Sequence, residues 1–234
     1  MIRLYIDIPL FEKGEVFLTE NQSHYVQKVM RLRAGEDVLL FNGVDGEWQA
    51  RILEAAKKTT KLLLFSQTRS QKNERDLWLL FSPLKPKRQE FLVEKATELG
   101  VSCLWPIYFG RTSIPKVNHE KMWAHTIEAA EQCGRLTIPD IRPLTPFATF
   151  LKDWPQERLL LFGDETLNSP SLGTPGLKIQ KPYAFLVGPE GGFTNQELSL
   201  LKSHPYVQGV TLGPNILRAE TAALVGLSYL QVQL

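Results

Sequence analysis

Hydrophobic and polar positions follow two different patterns along this chain, and the change between them falls near residue 70. Before it, short runs typical of strands surround residues 21–32, whose apolar side chains recur with helical spacing. The predicted strands are 37–42, 47–53 and 61–65. Glycines in residues 43–46 predict the turn between the first two, because glycine adopts positive φ at little cost. Residues 1–72 therefore predict a small β-rich domain, with 66–73 as a polar linker.

After the linker, fully apolar runs alternate with segments of helical spacing. The predicted strands are 77–81, 101–109, 159–162 and 183–187, and the predicted helices are 86–99, 120–133, 195–203 and 216–230. Apolar strands that alternate with helices are typical of a parallel sheet covered on both faces. Residues 73–234 therefore predict an α/β domain, with a loop rich in Pro, Gly and Ser over 168–182.

The composition of the chain narrows the function classes. With 43% hydrophobic and 22% charged residues, its 234 residues match a folded protein, and its longest apolar runs are too short to cross a membrane. The two cysteines, Cys103 and Cys133, make neither a disulfide framework nor a metal cluster alone, which favours the reducing cytoplasm. The sequence contains no phosphate-binding loop, dinucleotide fingerprint, hydrolase elbow or zinc-protease motif. Since its four histidines are scattered, no metal site is predicted.

The net charge of +2 indicates no partner, but two stretches carry basic residues without an acid. Residues 21–33 contain Lys28, Arg31 and Arg33, and residues 55–73 contain five lysines and arginines. Such stretches can neutralise the phosphates of a nucleic acid. Ordinary solvated surface charge explains either stretch about as well, so the pattern alone leaves both interpretations open.

Two strand-to-helix turns in the last fifty residues combine glycines with polar residues. The first, residues 188–194, follows an apolar strand and leads into a helix with a T-x-x-E capping box. The second, within residues 210–221, contains a Gly-Pro turn followed by Arg218 and Glu220. Parallel sheets bind ligands beyond the carboxyl ends of their strands, where glycines let the main chain approach a ligand. Two ordinary tight turns are the alternative, but the two charged residues favour a site.

These turns resemble those of a known family. The first reads Gly188-Pro189-Glu190-Gly191-Gly192-Phe193-Thr194, and the second reads Leu212-Gly213-Pro214-Asn215-Ile216-Leu217-Arg218-Ala219-Glu220-Thr221-Ala222. Together they closely resemble the RsmE family, 16S ribosomal RNA uridine methyltransferases of the SPOUT superfamily. Further blocks agree in the same order at residues 24–35, 94–101 and 128–135, so the resemblance covers almost the whole chain. One departure is Gly110, where many relatives carry an acid, although Arg111 and Ser113 match.

The resemblance implies a fold and an activity. The C-terminal domain is expected to be an α/β SPOUT domain with a parallel sheet and a deep trefoil knot, and the N-terminal domain a PUA-like β-barrel that binds RNA. A homodimer with its sites at the subunit interface is also implied. The implied activity is transfer of a methyl group from S-adenosylmethionine to N3 of one uridine, uridine 1498, of 16S ribosomal RNA, either naked or in the small subunit.

The resemblance also implies individual binding residues. Those expected to bind S-adenosylmethionine are Phe162, Gly163, Leu186, Val187, Gly188, Pro189, Glu190, Gly191, Gly192, Leu212, Gly213, Ile216, Leu217 and Arg218. Those expected to contact RNA are the basic residues Arg3, Lys28, Arg31, Arg33 and Arg111.

Methylation at N3 requires uracil to lose its N3 proton, whose pKa lies roughly two units above neutral pH. At ~1.36 kcal/mol per unit, removing this proton at neutral pH costs about 3 kcal/mol. Arg218, at the cofactor turn, is the candidate that stabilises the resulting anion. Glu220 or Glu131 is the candidate base, or orients that arginine. Arg135 is a candidate for holding a phosphate or the base. For Glu131 and Arg135, an exposed ion pair on a helix is the alternative.

Two other functions stay open at this stage. One is an RNA-binding protein that has kept the fold and lost methyl transfer, against which the intact glycine turns argue. The other is a SPOUT methyltransferase for transfer RNA ribose. The N-terminal domain and residues 128–135 favour the ribosomal substrate over it.

Overall fold

The computed structural model describes residues 1–72, 74–174 and 182–233. The chain divides into two compact units. One holds the described residues of Met1–Asn73 with Ala130–Ile138, and the other holds those of Glu74–Ala129 and Pro139–Leu234. Because residues 130–138 are distant in sequence from the rest of the first unit, no local pattern indicated that they belong to it. None of the helices in the described ranges is long and apolar enough to cross a membrane.

The first unit is built on a mixed sheet. Its strands are β1 (Arg3–Tyr5), β2 (Glu15–Phe17), β3 (Asp37–Phe41), β4 (Glu47–Ala55) and β5 (Thr60–Arg69), in the order β1-β3-β4-β5-β2. β1 and β3 are parallel, and the other neighbours are antiparallel. The three predicted strands are confirmed as β3, β4 and β5. The predicted turn joins β3 to β4, with a φ of +84° at Gly43 and +78° at Gly46.

Two predictions for the first unit need correction. The segment with helical spacing is a short helix, α1 (Glu20–His24), that continues as a π-helical turn over Tyr25–Val29. The predicted linker is wrong at its start, because residues 66–69 extend β5. Thr68 explains this extension: its hydroxyl donates to the Glu47 carboxylate on β4 over 2.9 Å, so polar side chains stabilise the strand where apolar ones are missing.

The second unit contains the predicted parallel sheet. Its strands are β6 (Leu77–Phe81), β7 (Cys103–Tyr108), β8 (Asp140–Ile141), β9 (Thr145–Pro146), β10 (Leu159–Gly163), β11 (Tyr183–Val187) and β12 (Val207–Val210). Their order is β12-β10-β11-β6-β7-β8, with β9 also paired to β7, and every pair is parallel. The helices are α2 (Pro86–Glu98), α3 (His119–Cys133), α4 (Phe147–Lys152), α5 (Asn195–Ser203) and α6 (Ala219–Gln233). β8, β9 and α4 are too short to give a periodic signal.

Helices cover both faces of this sheet. On one face, Leu79 and Phe185 pack in a core that also takes buried residues of α2 and α6. On the other, Leu80 and Leu186 pack in a core that takes buried residues of α4 and α5. Successive strand residues point to opposite faces, so strands buried on both sides must be apolar throughout. The α/β prediction is therefore confirmed, whereas the knot stays a prediction.

Two loop predictions have different outcomes. The last helix starts at Ala219 and not at 216, because residues 211–218 form an extended loop in which Thr211 bridges to Ser171. The Arg218 carbonyl accepts the first helical hydrogen bond, from the Ala222 amide at 2.8 Å. Of the loop predicted over 168–182, residues 175–181 lie outside the described residues.

Candidate active site

A cavity of about 460 Å³ lies beyond the carboxyl ends of β10 and β11, within the second unit. This size is in the range of ligand pockets. Its lining residues are Arg88, Gly163, Asp164, Glu165, Leu167, Val187, Gly188, Pro189, Glu190, Phe193, Leu212, Asn215, Ile216, Leu217, Arg218, Ala219 and Ala222. Four stretches of the chain therefore meet there: the start of α2, the turns after β10 and β11, and the loop before α6 with the first turn of that helix.

The turn after β11 is packed tightly by the chain itself. A Cβ on Gly188 would lie 2.7 Å from the Phe193 ring, and one on Gly191 would lie 3.2 Å from Cβ of Arg111. Gly192 has a φ of +73°, and a Cβ on it would collide with the Glu165 carboxylate. These glycines are needed because neighbouring side chains already occupy the space of a side chain.

The predicted capping box holds the end of this turn. Thr194 Oγ1 accepts from the Glu197 amide at 3.2 Å, and Glu197 Oε2 accepts from the Thr194 amide at 2.8 Å. The second carboxylate oxygen, Oε1, accepts from the Gly110 amide at 2.8 Å. An acidic side chain at position 110 would begin 3.6 Å from that oxygen, so the glycine avoids repulsion with Glu197.

The turn after β10 is organised by a buried carboxylate. Asp164 Oδ1 accepts from the hydroxyl of Thr166 at 2.7 Å, and Oδ2 accepts from that of Ser169 at 2.6 Å. Lys202 Nζ on α5 lies 2.8 Å from Oδ2. Burial by itself would raise the pKa of this carboxyl, but the bonds from Lys202, Ser169 and Thr166 outweigh it and hold the pKa at about 2. Asp164 is therefore an ionised anchor of the cavity wall.

The loop before α6 is open. Gly213 has a φ of +122°, and no described atom lies within 4 Å of a Cβ built on it. Ile216 is 76% exposed although it lines the cavity. Arg218 is also exposed, and its side chain makes no hydrogen bond or ion pair with any residue that the structure describes. An unpaired guanidinium at the cavity wall is available to a bound anion.

Arg88, on the first turn of α2, is a cavity residue that sequence reasoning missed. Its guanidinium pairs with the Glu190 carboxylate, and its Nε lies 3.7 Å from Glu220 Oε1. Glu220 Oε2 is buried and has no hydrogen-bond partner among the described residues. The available signal was position: Arg88 follows the apolar strand β6, so it lies at the edge of the sheet where ligands bind.

The residues predicted to bind the cofactor fall into three groups. Those that line the cavity are Gly163, Val187, Gly188, Pro189, Glu190, Leu212, Ile216, Leu217 and Arg218. Phe162 and Leu186 are fully buried in the core beneath it. Gly191, Gly192 and Gly213 belong to its turns without lining it. The cavity lining also includes unpredicted residues, notably Asp164, Glu165 and Phe193.

The other two predicted catalytic residues, Glu131 and Arg135, belong to the first unit. Glu131 Oε1 accepts from the Tyr5 amide at 3.0 Å, and Arg135 is buried. Burial of Arg135 excludes the alternative of a fully exposed helix pair. Among the described residues, neither of these two is part of the cavity lining.

The five predicted RNA contacts also differ in their surroundings. Lys28, Arg31 and Arg33 are exposed, and their side chains make no ion pair with a described residue. Arg3 is only 11% exposed and lies 2.7 Å from Glu47 Oε2. Its guanidinium also donates to the carbonyls of residues 130, 131 and 135, so internal contacts occupy it. Arg111 donates to the Gly191 carbonyl at 3.0 Å, beside the cavity.

The described residues were also compared with the requirements of a metal site. In the described ranges, no group of three or more His, Cys, Asp or Glu side chains is placed to hold a metal ion. A ligand of the cavity would meet main-chain groups, apolar side chains, carboxylates and two arginines.

Comparison with known proteins identifies the family to which this chain belongs. A family model described as RNA methyltransferase domain matches residues 71–231, and one described as RNA methyltransferase PUA domain matches residues 18–64. The chain therefore belongs to the RNA methyltransferase family, with a PUA domain in its N-terminal part.

The individual relatives agree with the RsmE resemblance. The chain is 33% identical to the ribosomal RNA small subunit methyltransferase E of Rickettsia conorii, covering 98% of this chain and 95% of that one. It is 35% identical to the Synechocystis protein of the same name, covering 95% and 74%. A crystal structure of the Neisseria gonorrhoeae protein of that name, bound to S-adenosyl methionine, superposes with a TM-score of 0.88 at 29% identity, covering 100% and 98%.

Proposed function

We propose that this protein is a small-subunit ribosomal RNA methyltransferase that uses S-adenosylmethionine to methylate N3 of a uridine in 16S ribosomal RNA, uridine 1498. The observation that carries the proposal is the cavity at the carboxyl ends of β10 and β11, which holds the unpaired Arg218 at its wall. The similarity to methyltransferase E proteins supports the ribosomal substrate.

The residues of the cavity fit S-adenosylmethionine as a ligand. This molecule supplies an activated methyl group on a sulfonium when bound, and it carries both an ammonium and a carboxylate. Glu165 offers negative charge to its cationic groups. The turns at Gly188 and Gly213 offer main-chain groups to its polar edges, and apolar residues such as Leu212 and Phe193 offer surface to a flat ring.

The chain's own part in the chemistry is to favour removal of the uracil N3 proton. Arg218 makes no ion pair with a described residue, so its guanidinium can stabilise the anion that forms. The helix α6 begins directly after it, and a helix N-terminus also favours negative charge. Glu220 is the candidate acceptor of the proton, because its Oε2 has no hydrogen-bond partner among the described residues.

Glu131 and Arg135 stay predicted catalytic residues of a homodimer. In a dimer with its sites at the subunit interface, one chain can supply residues to the cavity of its partner. The dimer, like the cytoplasmic location that a ribosomal substrate implies, is part of the proposal.

We infer that the first unit binds the RNA through the patch formed by Lys28, Arg31 and Arg33. The exposure of these three side chains supports the patch, and so does their lack of ion pairs with described residues, because a cation that is already paired neutralises a phosphate less well. Lys61 shows the contrast, since its ammonium lies 2.8 Å from Glu15 Oε1.

The experiment that tests the proposal combines cofactor binding with mapping of the methyl group. We expect calorimetry to detect S-adenosylmethionine binding. After the protein is incubated with naked 16S RNA or with small ribosomal subunits, we expect mass spectrometry to find a new methyl group on a uracil base of that RNA. Binding without methylation of either substrate would favour the non-catalytic RNA-binding protein. A methyl group on transfer RNA ribose would favour the other SPOUT activity.

A further inference from the structure

One arginine joins two segments that line the cavity. Arg88, on α2, pairs through its guanidinium with Glu190 in the turn after β11 and approaches Glu220 on the first turn of α6 at 3.7 Å. Arg88 and Glu220 lie 132 positions apart in the sequence, so their contact exists only in the folded protein.

The arginine is the cation close to two carboxylates of the cofactor turns. The Glu220 side chain is only 13% exposed, and one of its oxygens has no hydrogen-bond partner among the described residues. Ionised carboxylates in such surroundings are costly without a nearby cation. Arg88 supplies that cation to Glu190 and Glu220 at once.

The other charged residues of the cavity do not replace it. Asp164 is committed to Lys202, and Glu165 lies against Gly192. Arg218 makes no ion pair with a described residue. On α2, which packs against α6, Lys95 pairs with Glu94 and Glu98 of its own helix.

We propose that Arg88 is a positioning residue of the cofactor site, which holds the turn after β11 and the start of α6 in the arrangement that binds S-adenosylmethionine. The inference rests on the proposed function for the identity of the ligand. An ordinary surface ion pair, by contrast, would contribute little and its loss would leave binding unchanged.

The test measures the S-adenosylmethionine dissociation constant of R88M, R88K, K87M and R88M/E190Q as a ratio to wild type, at about pH 8. Lys87 is the exposed neighbour of Arg88, so K87M controls for loss of one positive charge from α2. At pH 8 we expect R88M to bind about tenfold more weakly or worse, and K87M and R88K to stay within about threefold of wild type.

Rescue by a second substitution separates positioning from simple loss of a contact. Without Arg88, the negative charges of Glu190 and Glu220 are no longer balanced by the same cation, so removal of one of these charges should compensate for its loss. The double variant R88M/E190Q, which lacks one of the carboxylates, should recover most of the affinity at pH 8.

Three results have different meanings. Equal binding by R88M and wild type, or a loss of binding in R88M that E190Q does not rescue, overturns the role of Arg88. Failure of the wild type itself to bind S-adenosylmethionine overturns the proposed function. Thermal unfolding establishes that R88M is folded, and R88M/E190Q keeps the test decisive if the single variant is unstable.

Discussion

The turn after β11 and the loop before α6 line the same cavity, yet they are built in opposite ways. In the first, Gly188, Gly191 and Gly192 are each hemmed in by side chains of the same chain. In the second, no described atom lies within 4 Å of a Cβ built on Gly213, and Ile216 is largely exposed. Packing within the chain determines the shape of the turn, whereas the loop leaves space and exposed groups that a ligand can contact.

The charged residues divide in the same way. Asp164, Arg88 and Arg3 are committed to partners within the chain, so they determine the shape of what surrounds them. Arg218, Lys28 and Arg31 have no ion pair among the described residues, so they are available to substrates. A charged side chain that is already paired positions other groups, and an unpaired one can recognise a ligand.

The largest expected effect comes from crowding the packed turn. Gly191→Val adds a branched side chain 3.2 Å from Cβ of Arg111, beside the hydrogen bond between Arg111 and the Gly191 carbonyl. We expect S-adenosylmethionine binding to be abolished, as measured by calorimetry, while circular dichroism reports a folded protein.

Gly213→Val is the matched comparison. A Cβ at this position has no described atom within 4 Å. The substitution therefore acts through backbone strain at a φ of +122° and through contact with a ligand bound beside the loop. We expect it to weaken binding less than Gly191→Val. Binding by Gly191→Val at the wild-type affinity would show that the packed turn is irrelevant to the ligand.

The open loop should affect catalysis more than cofactor binding. Arg218→Ala removes the unpaired guanidinium, and we expect the single-turnover methylation rate to fall about a hundredfold or more, or ~2.7 kcal/mol at ~1.36 kcal/mol per decade. Cofactor affinity should change little. An unaltered rate, or a collapse of cofactor binding, would make Arg218 a structural or binding residue.

Loss of the buried anchor should reduce stability in a pH-dependent way. Asp164 has a pKa of about 2 in the folded protein against its usual 3.8, so its stabilisation is complete above roughly pH 4 and disappears as the pH falls through 2. Asp164→Asn should lower the free energy of unfolding at pH 7 by about 2 kcal/mol. Urea unfolding at pH 7 and at pH 2.5 measures the difference, which should shrink at the lower pH.

Asp153→Asn is the control for this prediction, because Asp153 is an exposed acid of the same unit. Its effect on stability should be small at both pH values. If Asp164→Asn and Asp153→Asn behave alike, the hydrogen bonds to Asp164 do not anchor the turn.

The smallest effect is expected in the first unit. Replacing Lys28, Arg31 and Arg33 with glutamine should weaken RNA binding and reduce the salt dependence of the binding constant by about two logarithmic units per decade of salt. Lys58→Gln/Lys61→Gln should change it less, because these lysines already face Glu20 and Glu15. An unchanged salt slope in the triple variant would remove the patch from RNA recognition.

Side-chain substitution tests this patch better than deletion of residues 1–72. The segment 130–138 belongs to the same unit, and the Arg3 guanidinium binds three of its carbonyls. Deletion would leave that segment without its packing partners, so a loss of activity would not report on RNA contact alone.

Much of the fold was predictable because its signals are local. The strands β6 and β11 are fully apolar, and the capping box at Thr194 and Glu197 needs residues only three positions apart. The linker was predicted wrongly because polar residues 66–69 continue β5 through pairing with residues 47–49 of β4, at separations of 17 to 22 positions that local spacing does not register. Likewise, β8 and β9 are only two residues long, so their pairing with β7 determines them.

The sequence by itself determined the alternation of strands and helices and the glycine turns at the sheet edge, since short-range spacing and steric preference specify both. Only the tertiary structure decided which charged side chains form ion pairs within the chain and which do not. Arg88 meets Glu190, and Asp164 meets Lys202, across 102 and 38 positions. Nothing in local spacing records such partners, because the free energy of a buried charge depends on the groups that folding brings around it.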